Sequence, residues 1–266
     1  MQEITSRDNG SLKRFLALCR EKKERERNGL CVLDGVKICR DAVVYGHRLK
    51  QLWVSKDASD RYSDEVKKLA DAADELFMIS DSAAQKLSEL NSPQGIFAVV
   101  EIPAAVSVDD IGSHSRILGI CSLQNPENVG SCIRSAAALG FDSLLVSTDC
   151  ADVWSPRAIR AASGTQFSCR ISFTDDFAAS VRQLRSSGVL TCASALHRDS
   201  VPVTEIKTDR SLFLAVGNEG RGLPEETVAA CEKMIHIPMS GSAESLNAAA
   251  AAAVMMWELR DGSLLK

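Results

Sequence analysis

Four short runs of almost unbroken apolar and small residues, Ile117 to Cys121, Ser143 to Val146, Val189 to Ala193 and Leu212 to Val216, set the tightest limit on what this chain can fold into. A strand with one wet face alternates apolar with polar residues. Runs without alternation belong to strands covered on both faces, as in parallel sheets flanked by helices. Helical patterns fall between and after these runs, at Ser131 to Leu139, Phe177 to Ser186 and Ala243 to Leu259. The last contains an alanine tract, 248–253, whose helix propensity makes it a helix interior. The expected fold is α/β, with a mostly parallel C-terminal sheet and helices on both faces.

The first hundred residues repeat the alternation on a smaller scale. Leu12, Phe15, Leu16 and Cys19 follow the i, i+3, i+4, i+7 spacing of an amphipathic helix, and Arg20 to Arg27 after them is almost wholly charged. Strands are expected at Leu30 to Leu33, Gln51 to Val54, Leu76 to Ile79 and Ile96 to Val100. Helices are expected at Val36 to Tyr45, Asp64 to Ala72 and Ala83 to Leu90. Pro103 to Ser115, rich in Pro, Ala, Ser and Asp without a clear period, reads as a linker. The expected layout is a small α/β domain over 1–102, a linker over 103–115 and a larger domain over 116–266.

Charge separates the halves. Residues 1–56 hold thirteen Lys and Arg against seven Asp and Glu, whereas residues 57–115 hold four against twelve. A basic block on an acidic protein suits either a surface that meets phosphates or a solvated helix face, and Lys13, Arg14, Arg20, Lys22, Lys23, Arg25 and Arg27 carry most of its charge. Nine cysteines stand singly with no C-x-x-C pair, and four histidines (His47, His114, His197, His236) lack metal-ligand spacing. The pattern suggests reduced thiols, a cytoplasmic setting and no metal. No apolar stretch has membrane-spanning length, and Met1 to Phe15 lacks the apolar core of a secretory signal.

Open parallel sheets bind ligands beyond the carboxyl ends of their strands, so the loops leaving those strands are where chemistry is expected. Three have unusual composition: Gln124 to Gly130, leading into a helix with Arg134; Gly217 to Pro224; and Ile237 to Asn247. Gly217, Gly220 and Gly222 permit close backbone approach or positive φ. Asn128, Ser245 and Asn247 stand near helix starts, where unpaired N–H groups converge. Taken singly, such glycines turn the chain and such polar residues cap helices. The order is neither a dinucleotide fingerprint nor a P-loop, because the glycines come late and no Lys-Ser/Thr follows.

In order and spacing, the three loops resemble the motifs of the SpoU (TrmH) class of ribose 2′-O-methyltransferases, over nearly all of 116–266. Asn128 with Arg134 matches the first motif, Asn218 to Leu223 the second, and Ile237 to Met239 with Ser245 to Asn247 the third. Arg160 to Gly164 fits a lesser feature. Val32 to Gly35 and Ser92 to Ile96 resemble stretches of the substrate-binding domain often fused to this class, a small fold like that of RNA-binding ribosomal proteins. The resemblance implies a deep trefoil knot in the C-terminal segment, a homodimer, RNA as partner and S-adenosylmethionine as cofactor. Leu214, Gly217, Asn218, Gly222, Ile237, Met239, Ser245 and Leu246 would hold the cofactor. Arg134, Asn128, Glu219, Ser245 and Asn247 would be catalytic, with Glu219 orienting Arg134 through an ion pair. The layout is closer to enzymes acting on large-subunit ribosomal RNA than on transfer RNA. A non-catalytic RNA-binding protein of the same fold and a nicotinamide-dependent oxidoreductase are the competing expectations.

Overall fold

The computed structural model describes residues 2–4, 10–112, 116–241 and 245–261; His114 and the Ser242, Ala243 and Glu244 of the third loop lie outside them. The chain divides into two compact units, Met1–Pro103 with Trp154–Phe167, and Ala104–Val153 with Ser168–Lys266. No helix among the described residues is long and apolar enough to cross a membrane.

The first unit contains β1 (Gln2–Ile4), α1 (Gly10–Arg20), α2 (Lys22–Asn28), β2 (Leu30–Asp34), α3 (Val36–Val44), β3 (Leu49–Ser55), α4 (Lys56–Arg61), α5 (Ser63–Asp71), β4 (Ala73–Ile79), α6 (Asp81–Leu87) and β5 (Ile96–Glu101). Its sheet has the order β1-β4-β3-β5-β2, with β5 antiparallel to both β3 and β2. Phe15 and Trp53 pack at 5.2 Å and Trp53 stacks on Phe77 at 4.5 Å, filling the space between α1 and the sheet.

One basic residue is not where the charge pattern suggests. Helix α1 stops at Arg20, leaving its last carbonyls without helical partners. Arg25, only 4 % exposed, turns back and donates from Nη1 to Leu18 O at 2.6 Å and Cys19 O at 3.2 Å. Its guanidinium caps a helix and is not a phosphate contact. Lys13, Arg14, Arg20, Lys22, Lys23 and Arg27 remain exposed.

Residues 154–167, which the sequence order puts in the C-terminal domain, pack in the first unit. There α9 (Pro156–Ala162) buries Ala158, Ile159 and Ala162. Arg160 lies 3.5 Å from Asp34 and 3.2 Å from Glu89, and Arg157 Nε donates to Glu89 at 2.9 Å. Ser88 Oγ donates to Asp34 Oδ2 at 2.5 Å, while the buried Asp34 Oδ1 has no hydrogen-bond partner. A seven-residue helix gives too few turns for periodicity to reveal which core it serves.

The second unit opens with α7 (Val108–Gly112), inside the stretch that reads as linker; Ile111 is fully buried with Ile117, Val181 and Leu184. It continues through β6 (Arg116–Ile120), α8 (Pro126–Ala138), β7 (Ser143–Ser147), β8 (Arg170–Thr174), α10 (Phe177–Ser186), β9 (Leu190–Ser194), β10 (Val201–Pro202), β11 (Leu212–Val216), α11 (Glu225–Ala230), β12 (Lys233–His236) and α12 (Ala248–Leu259). The seven-stranded sheet is parallel throughout, in the order β10-β12-β9-β11-β6-β7-β8. β6, β7 and β11 are buried along their whole length, as their unbroken apolar runs require. β8 and β12 escape the apolar pattern because each opens on a charged residue, Arg170 and Lys233. β6 sits inside the sheet, with β7 and β8 to one side and β11 to the other, so the chain departs from it in both directions. A crevice opens at the carboxyl ends of β6 and β11.

Candidate active site

The three loops expected to carry chemistry leave β6, β11 and β12 at that crevice. α8 starts at Pro126, five residues before the helical pattern suggests, because proline fits the first helical position and Asn125 Oδ1 caps it by accepting from Glu127 N at 2.8 Å. Asn128 therefore lies in the first turn. The second loop folds on itself: Asn218 N donates to Gly222 O at 3.1 Å and Gly222 N to Asn218 O at 2.9 Å. A Cβ on Gly217 would stand 2.5 Å from the Gly222 carbonyl carbon, so only glycine closes this turn. In the third loop, Asn247 Oδ1 caps α12 by accepting from Ala249 N (3.0 Å) and Ala250 N (3.3 Å).

These local devices bring three side chains into one chain of hydrogen bonds. Asn247 Nδ2 donates to Asn128 Oδ1 at 3.2 Å, and Asn128 Nδ2 donates to Glu219 Oε1 at 2.5 Å. Packing of α12 on α8 aligns the two helix starts. Residues 119 and 91 positions apart thus touch through their functional groups.

Glu219 does not pair with Arg134, contrary to expectation. Six residues along a helix carry Arg134 about 9 Å beyond Asn128 and onto another face. Arg134 is exposed, and among the described residues its guanidinium has neither a hydrogen bond nor an ion pair. Glu219 is engaged by an amide and the arginine stands open.

Beside Glu219 lies an open cleft walled by the ends of β9, β11 and β12 and by the second and third loops. Of the residues expected to hold a cofactor, Gly217, Asn218, Gly222, Ile237, Met239, Ser245 and Leu246 line it, as does Glu219. Leu214 does not: it is fully buried mid-strand in β11. The sequence gives no hint of His236, or of Ser194 to Leu196 at the end of β9; both belong to the cleft wall. Met255 is 3 % exposed and lines the cleft, whereas Trp257 on the same helix is 53 % exposed. Leu196, Met239 and Leu246 expose apolar surface around the mouth, suited to the faces of a flat ring.

Comparison with known proteins identifies the family. Residues 115–257 match the family model described as the SpoU rRNA Methylase family, and residues 9–98 match an MRM3-like substrate binding domain. A 23S rRNA (guanosine(2553)-2′-O)-methyltransferase, RlmP of Bacillus subtilis, is 29% identical over 98% of this chain and 100% of its own. A 23S rRNA (uridine(2479)-2′-O)-methyltransferase of Streptomyces viridochromogenes is 31% identical over 97% of this chain and 91% of its own. The crystal structure of an AdoMet-bound rRNA methyltransferase from Sinorhizobium meliloti superposes with a TM-score of 0.83 at 26% identity, covering 97% of this chain and 96% of that one.

Proposed function

The chain belongs to the SpoU rRNA methylase family, and from that premise we propose that it transfers a methyl group from S-adenosylmethionine to a ribose 2′-hydroxyl of large-subunit ribosomal RNA. The observation that carries this reading is the Asn247–Asn128–Glu219 chain at the mouth of the cleft. Three motifs far apart in sequence meet beside an open cleft.

The cleft fits the cofactor chemically. Leu196, Ile237, Met239 and Leu246 offer apolar faces to a purine, while the loop 217–222 brings backbone close without side chains in the way. When bound there, S-adenosylmethionine supplies an electrophilic methyl group on a cationic sulfur, which needs no metal.

The protein's own task is to present a ribose oxygen in line and to manage its proton. A guanidinium stays protonated, so Arg134 acts as a donor and not as a base. Its fork grips the substrate phosphate and stabilises the developing alkoxide, and a phosphate oxygen takes the proton. Asn128 and Asn247, each oriented at both ends of its amide, hold the ribose; Ser245, which makes no side-chain hydrogen bond among the described residues, faces the same cleft.

The reading extends to assembly, fold and place. Arg134 lies off the Asn128 face of α8, and Val254 and Trp257 are exposed on α12. Both features favour a homodimer in which a second copy completes the site. The insertion of β12 between β10 and β9, with α12 returning onto α8, supports a knotted C-terminal segment. The exposed cations of α1 and α2 support RNA binding by the first unit. The enzyme would act in the cytoplasm, on its ribosomal RNA.

Mapping ribose methylation in total RNA with and without the gene tests the activity: loss of one 2′-O-methyl group from 23S RNA is expected, and an unchanged map refutes it. Calorimetric titration with S-adenosylmethionine separates an enzyme from a non-catalytic RNA-binding relative.

A further inference from the structure

Ser122, at the end of β6, has φ +56°, a left-handed conformation that a residue with a Cβ rarely adopts. Its surroundings impose it. Ser122 N donates to Ser147 Oγ at 2.8 Å, and Ser122 Oγ donates to Asp149 Oδ2 at 2.6 Å. Ser147 Oγ donates to Asp149 Oδ1 at 2.5 Å. The two hydroxyls hold the Asp149 carboxyl below the usual carboxylate range.

The conformation turns the Ser122 carbonyl toward the second loop, where it accepts from Asn218 Nδ2 at 2.9 Å. The Asn218 amide has no freedom to turn over. Its Oδ1 already accepts the Gly220 N–H at 2.9 Å and the Arg221 N–H at 3.2 Å, so its donor must face Ser122. Between Asn218 and these two N–H groups lies Glu219, the residue that engages Asn128.

We propose that Ser122 is a positioning residue, whose strained backbone carbonyl orients Asn218 and through it sets Glu219 against Asn128. Asp149 and Ser147 clamp the strain in place. This rests on the methyltransferase reading above and adds to it a group outside the three motifs. The acting group is the carbonyl, not the hydroxyl, and that separates the outcomes. Glycine keeps the carbonyl and adopts positive φ freely; valine, branched at Cβ, resists it.

The test uses full-length enzyme with ribosomal RNA, measuring kcat, KM, S-adenosylmethionine affinity by calorimetry and Tm. Ser122→Gly should retain kcat within about threefold, since only the side chain is lost. Ser122→Val should lower kcat roughly ten- to a hundredfold, with cofactor affinity and KM little changed, because misplacement near the reacting atoms has that cost. Asn218→Asp removes the donor from the other end, and its loss in kcat should not add to that of Ser122→Val. Full activity in Ser122→Val, equal loss in Ser122→Gly, or additive losses in the double variant would each overturn the proposal. The Asn218 carboxamide protons give a readout free of catalysis: protection from exchange in the wild type and Ser122→Gly, lost in Ser122→Val, is expected. Equal protection in all three refutes the proposal, whereas a wild-type chain that binds no S-adenosylmethionine refutes only the functional reading.

Discussion

Each unit carries charged side chains, some of them at motif positions, and the two sets differ in how they end. In the first unit, the Arg160 guanidinium meets Asp34 and Glu89, Arg157 meets Glu89 as well, and Arg25 donates to backbone carbonyls. Each of these cations is engaged within the unit. In the second unit, Glu219 is taken by Asn128, and Arg134 stands exposed with no partner among the described residues. A guanidinium satisfied within its own fold holds structure; one left exposed without a counter-charge is available to an anion that arrives later. The difference separates arginines that the sequence alone presents as equals.

The largest effect should come from breaking the open side of this comparison. Arg134→Ala is expected to lower turnover by roughly 10²–10³-fold, the usual cost of losing a donor aimed at developing charge, while calorimetry shows S-adenosylmethionine affinity almost unchanged. Arg134→Lys should fail nearly as badly, because a point charge cannot reproduce a bidentate fork. Equal losses of binding and turnover in Arg134→Ala would make it another structural arginine.

The closed side should respond in stability. Arg160→Ala leaves the buried Asp34 carboxylate without its cation, and Arg25→Leu leaves the end of α1 without its donor; each should reduce unfolding free energy by about 1–3 kcal/mol in denaturant titrations. Arg14→Gln, exposed on α1, should leave stability alone and reduce the salt slope of RNA affinity by about 0.7–0.9. A reversed pattern, with Arg25 governing the slope and Arg14 the stability, would undo the assignment of the two residues.

The sequence made the site more legible than the fold around it. Asn128, Glu219 and Asn247 could be named because loops at the ends of parallel strands are where ligands bind, and because their residue types and order repeat a known pattern. What stayed hidden depends on approach through space. Nothing local tells that Arg25 bends back to Leu18, or that α9 packs against β2 and not with the strands that flank it in sequence. The Glu219–Arg134 pair is favoured by charge and excluded by helix geometry, since Asn128 occupies the near turn of α8. Leu214 was close in sequence to the cleft, but a residue in mid-strand has its side chain in the core. His236 and Ser122 lie outside any motif, on a short strand with a charged start and in a conformation that no composition signals.

The smallest expected effect compares two carboxylates, one from each unit. Burial raises the Asp34 pKa, with the Ser88 hydrogen bond and Arg160 only partly offsetting it. The folded state therefore holds a proton at pH values where the unfolded chain has released it. The resulting stabilisation is complete below the unfolded value of about 4 and is lost as pH rises through the raised folded value. Asp149 has the opposite sign, because the Ser122 and Ser147 hydroxyls favour its charged form. Its contribution is present above the unfolded value and disappears as pH falls through the lowered one. Relative to Asp34→Asn, the wild type should lose stability from about pH 4 upward; relative to Asp149→Asn it should lose stability from about pH 4 downward. Unfolding midpoints across that range, read for each variant against the wild type, should give difference curves of opposite slope. Parallel curves would mean that the two carboxylates share one environment, and that the strain at Ser122 is not clamped by a charged Asp149.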